Sequence, residues 1–409
     1  MGTVTVSSLS LCFGRPGSIF GQKRIYKAGV ALYALGAGFG AVSQSFLTLL
    51  SARVVMAIGL AMAVPMSTVI LATTFEPKTR GRVLGTFASA IAVGRMTGPT
   101  IGGVLLEFGG WPSIFWMNFI LGSVVTVAVA SIFRGPGEQR HGTFDIWGSV
   151  ALLMSYPALL LGLTLGPSAS WTSSVVATAF IIVLLGLPIF VWIELNTKKP
   201  LIEMNMFKHK VLAAALAAAV LGNIIHYPVG LCAPLYLQNV LGASAVATGL
   251  VLAALPLSTA LASLLSGRLS DRFDAASVAS VGLLFIFGGI IYYSGLETHR
   301  NLVYVIGALA TVGAGIGIFT PANQKVAFGS VEQDDYGVLA AILSSFGTAA
   351  GTIGTTMAVA LMEVRGGQGL WTEPALFAGA QHFAFSCLAP IGLIAVLIAY
   401  MSRGAGFNR

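Results

Sequence analysis

The chain has 409 residues, of which 56% are hydrophobic and 9% are charged, and its formal net charge is +8. This composition excludes the two or three water-soluble domains that the length alone would suggest, and it indicates a polytopic membrane protein that lies in a lipid bilayer. The basic residues do not form one patch, so the positive charge does not indicate nucleic acid as a partner.

The first apolar stretch, Met1–Phe13, is too short to cross a bilayer, because a helix of this length rises only about 20 Å. It lacks the basic start and the small-residue cleavage site of a signal peptide, which is the alternative interpretation. We interpret it as the end of a helix whose first part is missing.

Twelve further apolar segments follow, and we predict that each is a membrane helix. Their approximate bounds are Ala28–Val42, Phe46–Leu71, Val83–Leu106, Ile114–Phe133, Trp147–Leu165, Val175–Ile193, Val211–Leu235, Ala245–Leu265, Ala276–Ser294, Leu302–Ala322, Val338–Met362 and Phe383–Met401.

The distribution of basic residues predicts the orientation of these segments. Of the 22 Lys and Arg residues, Arg53 and Arg95 lie inside segments and Arg300 and Arg365 lie in loops on one side, while all the others fall on the opposite side. Basic loops face the cytoplasm, so this pattern predicts a cell (inner) membrane protein with a cytoplasmic C-terminus.

A short charged stretch, Gly267–Phe273, separates two of the segments and is predicted to be a tight turn at the cytoplasmic surface. Asp271 is then expected just before the N-terminus of the next helix, where a carboxylate is favoured. The pattern Gly267-x-Leu-x-Asp271-Arg272 resembles the cytoplasmic signature loop of the major facilitator superfamily.

The resemblance implies a twin loop near the start of the chain. Gly14, Gly21, Lys23 and Arg24 match it, whereas Ser18 stands where the family has Asp. Roughly 250 residues separate the copies, which leaves room for about two helices beyond a six-plus-six arrangement.

The resemblance therefore implies an all-helical facilitator fold of the fourteen-span drug:proton antiporter branch, without its first helix and part of its second. The predicted organisation is a truncated N-terminal bundle (residues 1–134), a central two-helix region (135–210) and a C-terminal bundle (211–409). In the family the missing first helix carries an acidic residue often implicated in coupling.

Arg53 and Arg95 lie inside predicted spans, where a cation costs about 2.5–3.5 kcal/mol unless it meets a partner or a wet cavity. The surroundings of Arg53, with Leu49 and Gly59, resemble the family's fourth-helix signature, although Met56 replaces the usual glutamine. This resemblance implies a role in proton coupling; the alternative is that Arg53 extends to the interface. The resemblance implies no role for Arg95.

A glycine-rich stretch around Arg95 resembles the antiporter signature of the family's fifth helix. Glycines four residues apart form a smooth face that lets a neighbouring helix approach, and a proline bends the helix. The alternative is generic glycine-mediated packing. The residues of this motif are Gly94, Gly98, Pro99, Gly102 and Gly103.

Few polar residues lie within the predicted spans. His226, which titrates near neutral pH when unperturbed, is a candidate for transport or coupling, although a lone membrane histidine also bonds neighbouring helices. All fourteen acidic residues fall in loops or near helix ends. Candidates for the lining of a transport path are Asn223, Tyr227, Gln238, Asn323 and Gln324.

Enzyme functions are not supported, because the chain has no metalloprotease, serine-hydrolase or phosphate-loop motif.

The glycines Gly313, Gly315 and Gly317 lie inside a span, where they indicate close helix packing. The cysteines Cys12, Cys232 and Cys387 lie singly and indicate neither a disulfide frame nor a metal site, and no cofactor is expected.

These observations predict a monomeric secondary transporter that exports small amphipathic compounds in exchange for protons by alternating access, with Asp271 and Arg272 latching its cytoplasmic side. The alternative is a truncated facilitator-fold protein that does not transport and serves as a membrane scaffold.

Overall fold

The computed structural model describes residues 21–133, 146–169, 171–197, 204–297, 301–367, 370–371, 373–401 and 403. Within these ranges the regular structure is helical throughout. The α-helices are α1 (Gln22–Ala41), α2 (Phe46–Thr74), α3 (Arg80–Ile132), α4 (Ile146–Ala169), α5 (Ser174–Asn196), α6 (Lys210–Leu235), α7 (Ala245–Leu252), α8 (Ala254–Arg272), α9 (Ala275–Ser294), α10 (Leu302–Gly329), α11 (Tyr336–Gly366) and α12 (Pro374–Met401).

Every predicted apolar segment lies within these helices, to within one residue at its ends, although the segments are joined or divided differently at two places. Val83–Leu106 and Ile114–Phe133 are joined in α3, which breaks at Gly110 (φ 67°, ψ −177°), a left-handed conformation that glycine adopts without strain. The predicted segment Ala245–Leu265 is divided between α7 and α8, and α8 continues to Arg272.

Ten helical stretches in the described part of the chain are long and apolar enough to cross a bilayer. The predicted spans Ala28–Val42 and Val83–Leu106 are not among them, so the exact number of spans stays a prediction. Large apolar side chains cover the outer surface: Leu184 and Trp192 of α5 are 73% and 68% exposed. Such a surface is stable against hydrocarbon and not against water, which makes this a multi-pass membrane protein.

The helices pack in two groups, α1–α3 and α6 with α8–α12, and the main contact between the groups joins α3 to α8. The α4–α5 hairpin packs on α11, where the Tyr156 hydroxyl donates to the Ser345 carbonyl and the Thr356 hydroxyl donates to the Leu163 carbonyl (3.0 Å). The domain boundaries remain predictions.

The stretch Gly267–Phe273 is not the predicted turn, because α8 continues through Arg272 and the Phe273 amide still donates to the Leu269 carbonyl (2.8 Å). The predicted cap is also wrong: Asp274, not Asp271, precedes α9 and accepts from the Ser277 amide (2.9 Å). Asp271 is one turn too early in the helix to cap α9, and its carboxylate faces α3 instead.

The close packing predicted at Gly313, Gly315 and Gly317 is confirmed. A Cβ atom at any of these positions would collide with backbone atoms of a neighbouring helix, α8 for Gly313 and Gly317 and α9 for Gly315. These glycines therefore bring α10 into backbone contact with two helices.

Candidate functional site

A cavity of about 980 Å³ lies between the two helix groups. Its wall is largely apolar, and its polar members come from α1, α2, α3, α4, α6 and α11. The size is at the upper end of the range of about 300–1,000 Å³ for small-molecule sites. The lining includes Tyr33, Arg53, Met56, Leu60, Val64, Arg95, Phe115, Asn118, Thr164, Tyr227, Leu231, Ser344, Thr348, Gly351, Thr352, Thr355 and Val359.

Arg53 lies two turns into α2 and lines this cavity, as expected of a charged side chain in a span. Its guanidinium carbon is 5.0 Å from the centroid of the Phe115 ring, a cation–π geometry. Beside it, the Tyr33 hydroxyl donates to Asn118 Oδ1 (2.7 Å). The aromatic wall therefore holds the cation without neutralising it.

A second cavity of about 560 Å³ adjoins the first, and Val64, Arg95, Tyr227 and Ser344 line both. His226 lines the second cavity, where its Nδ1 donates to the Gly222 carbonyl one turn earlier in α6 (2.8 Å). Arg95 thus stands where the two cavities meet.

The cavity lining predicted from sequence is only partly right. Tyr227 lines both cavities and Gln324 lines the second, but Asn223, Asn323 and Gln238 line neither. Asn223 donates to the Ala219 carbonyl of its own helix and lies beside Gly347 of α11, which packs over this part of α6.

Asn323 and Gln238 are displaced from the cavities for different reasons. Asn323 is 5% exposed and donates to the Ala215 carbonyl (3.1 Å), so it joins α10 to α6. Gln238 is exposed in the π-helical turn Tyr236–Val240 that follows α6. Neither position was distinguishable from a cavity position by sequence spacing.

At one end of the molecule, which we call the Asp271 end (residues 80–82, 270–272, 325 and 336), a single carboxylate joins the two helix groups. Asp271 Oδ1 accepts from the Gly81 amide and Oδ2 from the Arg82 amide, both at 3.0 Å. These amides belong to the first turn of α3, where unpaired N–H groups and the helix dipole favour a negative charge. Lys325 of α10 forms an ion pair with the same carboxylate (2.7 Å).

Glycines bring α3 and α8 close enough for these bonds. A Cβ at Gly267 would lie 2.7 Å from the Gly81 carbonyl oxygen, and a Cβ at Gly85 would lie 3.0 Å from the Gly267 Cα. Glycine at these positions therefore allows backbone contact between the groups, which closes the space between them at this end.

A second polar contact crosses between the groups at the Asp271 end. Arg80, only 5% exposed, donates to the Tyr336 hydroxyl of α11 (2.9 Å), and its guanidinium carbon lies 5.3 Å from the centroid of that ring. The residues Arg80, Lys325 and Tyr336 were not predicted as site residues. Two of them are basic residues near helix ends, but the sequence does not reveal their partners, because each bond joins residues more than 50 positions apart.

The other loop residues predicted for the site have different surroundings. Arg272 is exposed and forms no ion pair within the described residues. Gly21 precedes α1 with φ 94°, Lys23 lies 5.5 Å from the Phe133 ring centroid, and Arg24 is exposed. Gly14 lies outside the described residues.

The glycine-rich motif of α3 does not make the expected close helix contact. At Gly94, Gly98 and Gly102 no described atom lies within 4 Å of a Cβ position. The reason is that α3 meets α8 through Gly81 and Gly85, more than two turns before Gly94, and the glycine face beyond them has no described neighbour. The structure describes the backbone of Pro99 and Gly103 as helical and does not describe their surroundings.

Among the described lining residues of both cavities there is no Asp or Glu. Glu107 and Glu194, the acidic residues that the sequence places nearest to the membrane core, line neither cavity. The described residues also contain no group of His, Cys, Asp and Glu that would hold a metal ion. The formal charge that faces the cavities is therefore that of Arg53 and Arg95.

Comparison with known proteins supplies several relatives. The multidrug resistance protein Stp of Mycobacterium tuberculosis is 28% identical over 337 residues, which are 82% of this chain and 63% of Stp. The multidrug transporter protein MdtP of Bacillus subtilis is 23% identical over 355 residues, 87% of this chain and 66% of MdtP. The chain therefore spans less than two thirds of the length of these relatives.

A further relative is the methylenomycin A resistance protein of Bacillus subtilis, 30% identical over 68% of this chain and 60% of that protein. Among solved structures, the human organic anion transporter MFSD10 (TETRAN) superposes with a TM-score of 0.69 at 16% identity, covering 97% of this chain and 82% of that one. It shares the fold. The family model of the Major Facilitator Superfamily matches residues 2–355 and 211–405. The chain belongs to the major facilitator superfamily, a family of membrane transporters and not of enzymes.

Proposed function

We propose that this protein is a secondary active transporter of the fourteen-span drug:proton antiporter branch, which exports small amphipathic compounds across the cell membrane. The observation that carries the proposal is a cavity of about 980 Å³ between two helix groups that are joined at the Asp271 end. A cavity between two bundles, closed on one side, is the arrangement that alternating access requires.

The Asp271 end is cytoplasmic in this proposal, as is the C-terminus, because Lys and Arg concentrate in the loops on that side. Asp271 then holds the inner side closed through α3 and Lys325, and release of these bonds opens the cavity inward. Arg272 has no ion pair within the described residues, so we assign the latch to Asp271, with Lys325 in place of Arg272.

Proton coupling is assigned to groups that face the cavities. Arg53, Arg95 and His226 line them. The arginines stay charged, so the proton is exchanged at the His226 imidazole, and its uptake changes the field that acts on the substrate beside the two arginines. Coupling follows only if protons bind with different affinity to the two states of the cavity. The protein acts as a monomer in this scheme, because the cavity lies within one chain.

Efflux from inverted membrane vesicles tests the proposal. Vesicles containing the protein are expected to take up a fluorescent amphipathic drug when their interior is acid, and a protonophore is expected to abolish the uptake. Asp271→Asn is expected to remove most of the uptake, whereas Asp274→Asn is the matched control, because asparagine caps α9 as well as aspartate does.

Uptake in the parent protein that is equal to that of empty vesicles would instead favour the membrane scaffold. Reporter tags near Arg300 and Arg403 provide an independent check of the orientation, since they are expected in opposite compartments.

A further inference from the structure

The unusual feature of the cavities is uncompensated positive charge. Arg53 and Arg95 line the larger cavity, and neither forms an ion pair with a described residue. The smaller cavity adds His226 and again no carboxylate among its described lining. Both side chains are exposed to this space, so their charges are available to a ligand, and the apolar wall around them focuses the field of the two cations.

We propose that Arg53 and Arg95 together form an anion-binding site, and that the substrate of this protein is a small aromatic or aliphatic anion with a carboxylate or sulfonate group. This inference rests on the proposed transport function and specifies its substrate class. Guanidinium suits this role because its planar donors pair with carboxylate in a fixed geometry and its charge persists at every physiological pH.

The α11 residues of the lining are uncharged and suit a different part of the ligand. On α11, Thr348, Thr352 and Thr355 donate their hydroxyl protons to carbonyls of their own helix at 2.8 to 3.0 Å. Their oxygens are left as acceptors, which suit the neutral and hydrogen-donating part of a ligand. In this proposal the anionic group therefore binds at the arginines of α2 and α3, and the hydrogen-donating part of the ligand binds at α11.

The aromatic side chains suit the apolar part of such a ligand. Tyr33, Phe115 and Tyr227 line the cavity, and the Phe115 ring already holds the Arg53 guanidinium at 5.0 Å. The Asn118 amide is occupied by the Tyr33 hydroxyl and the Ile114 carbonyl, so it does not compete for the ligand. Recognition of the charged group is left to the two arginines.

The test uses three ligands with the same aromatic group and different charge: 2-naphthylacetate, 2-naphthylacetamide and 2-(2-naphthyl)ethylammonium. The full chain is reconstituted in nanodiscs of phosphatidylcholine, which carries no net charge, at low salt to limit screening. Equilibrium dialysis then gives the three affinities. We expect naphthylacetate to bind at least about tenfold more tightly than the ammonium ligand.

Substitutions identify the source of the preference. Arg95→Gln and Arg53→Gln are each expected to lower the naphthylacetate affinity by about 10- to 100-fold, the range for a hydrogen bond to a charged group. Both are expected to leave the affinity for the neutral acetamide nearly unchanged, which shows that the cavity is intact. Arg365→Gln, at an exposed arginine outside both cavities, is the matched control and should bind as the parent does.

Tighter binding of the ammonium ligand, unchanged naphthylacetate affinity in both cavity variants, or no saturable binding of naphthylacetate would overturn the anion site. Because dialysis measures binding at equilibrium, its result is separate from that of the vesicle assay. Anion binding without efflux would refute the proposed transport, and with it the assignment of the substrate, but would leave the anion-binding site. Proton-driven efflux without anion preference would refute the anion site and leave the proposed function.

Discussion

Replacement of Asp271 by asparagine tests the closed end of the molecule most directly. The carboxylate accepts two amides of the α3 N-terminus at 3.0 Å and pairs with Lys325 at 2.7 Å, and the side chains of Lys325 and Asp271 are 19% and 10% exposed. Asparagine has one carbonyl oxygen, so it keeps one amide bond and loses the other together with the charge. Hydrogen bonds to a charged group contribute about 1.5–3 kcal/mol and the helix N-terminus adds up to about 1 kcal/mol.

Partial exposure reduces these contributions, because solvent screens the ion pair. We therefore expect the closed state to lose about 2–3 kcal/mol, which raises the fraction of open molecules by about 30- to 150-fold.

The assay is the labelling rate of Ser263→Cys by a membrane-impermeant thiol reagent added from the Asp271 side. The three native cysteines are first replaced by serine. Ser263 of α8 is fully buried where α8 packs against α3, and it lines the smaller cavity. The reagent reaches this position only when the two helices separate, so labelling reports opening at the Asp271 end. The rate is expected to increase in proportion to the open fraction, and Asp274→Asn is expected to leave it unchanged. Equal labelling rates in Asp271→Asn and Asp274→Asn would refute the assignment of the latch to Asp271.

Three further changes test other contacts. Tyr336→Phe removes the hydroxyl that accepts the bond from the charged Arg80. The cost of about 1.5–3 kcal/mol should speed the same labelling by about 10- to 150-fold; an unchanged rate would show that this bond does not restrain the closed end. Gly85→Ala places a methyl group against the Ser263 carbonyl and should lower the thermal stability of the detergent-solubilised protein, by about 1–3 kcal/mol in free energy of unfolding. Gly94→Ala meets no described atom and should leave that stability unchanged or raise it by about 0.5–1 kcal/mol; a loss as large as that of Gly85→Ala would contradict the open face.

The sequence by itself determined that this is a helical membrane protein and where its helices run. An apolar run in lipid has to satisfy its backbone groups within the helix, so segment position follows from local composition alone. The same reasoning predicted that Arg53 and Arg95 meet either a partner or a wet cavity, and the structure shows that both line a cavity. It also predicted close packing at Gly313, and in the structure the backbone of α8 lies directly against this residue.

Only the tertiary structure decided which groups meet at the ends of the helices. Asp271 was expected to cap α9, the next helix along the chain, but its carboxylate binds Gly81, 190 residues earlier. Both positions suit a carboxylate equally by local chemistry, since every helix N-terminus offers unpaired amides. The choice depends on which helix packs beside α8, and that depends on how all the helices fit together. For the same reason the glycines at 94, 98 and 102 resembled a packing face in the sequence and have no described neighbour in the structure.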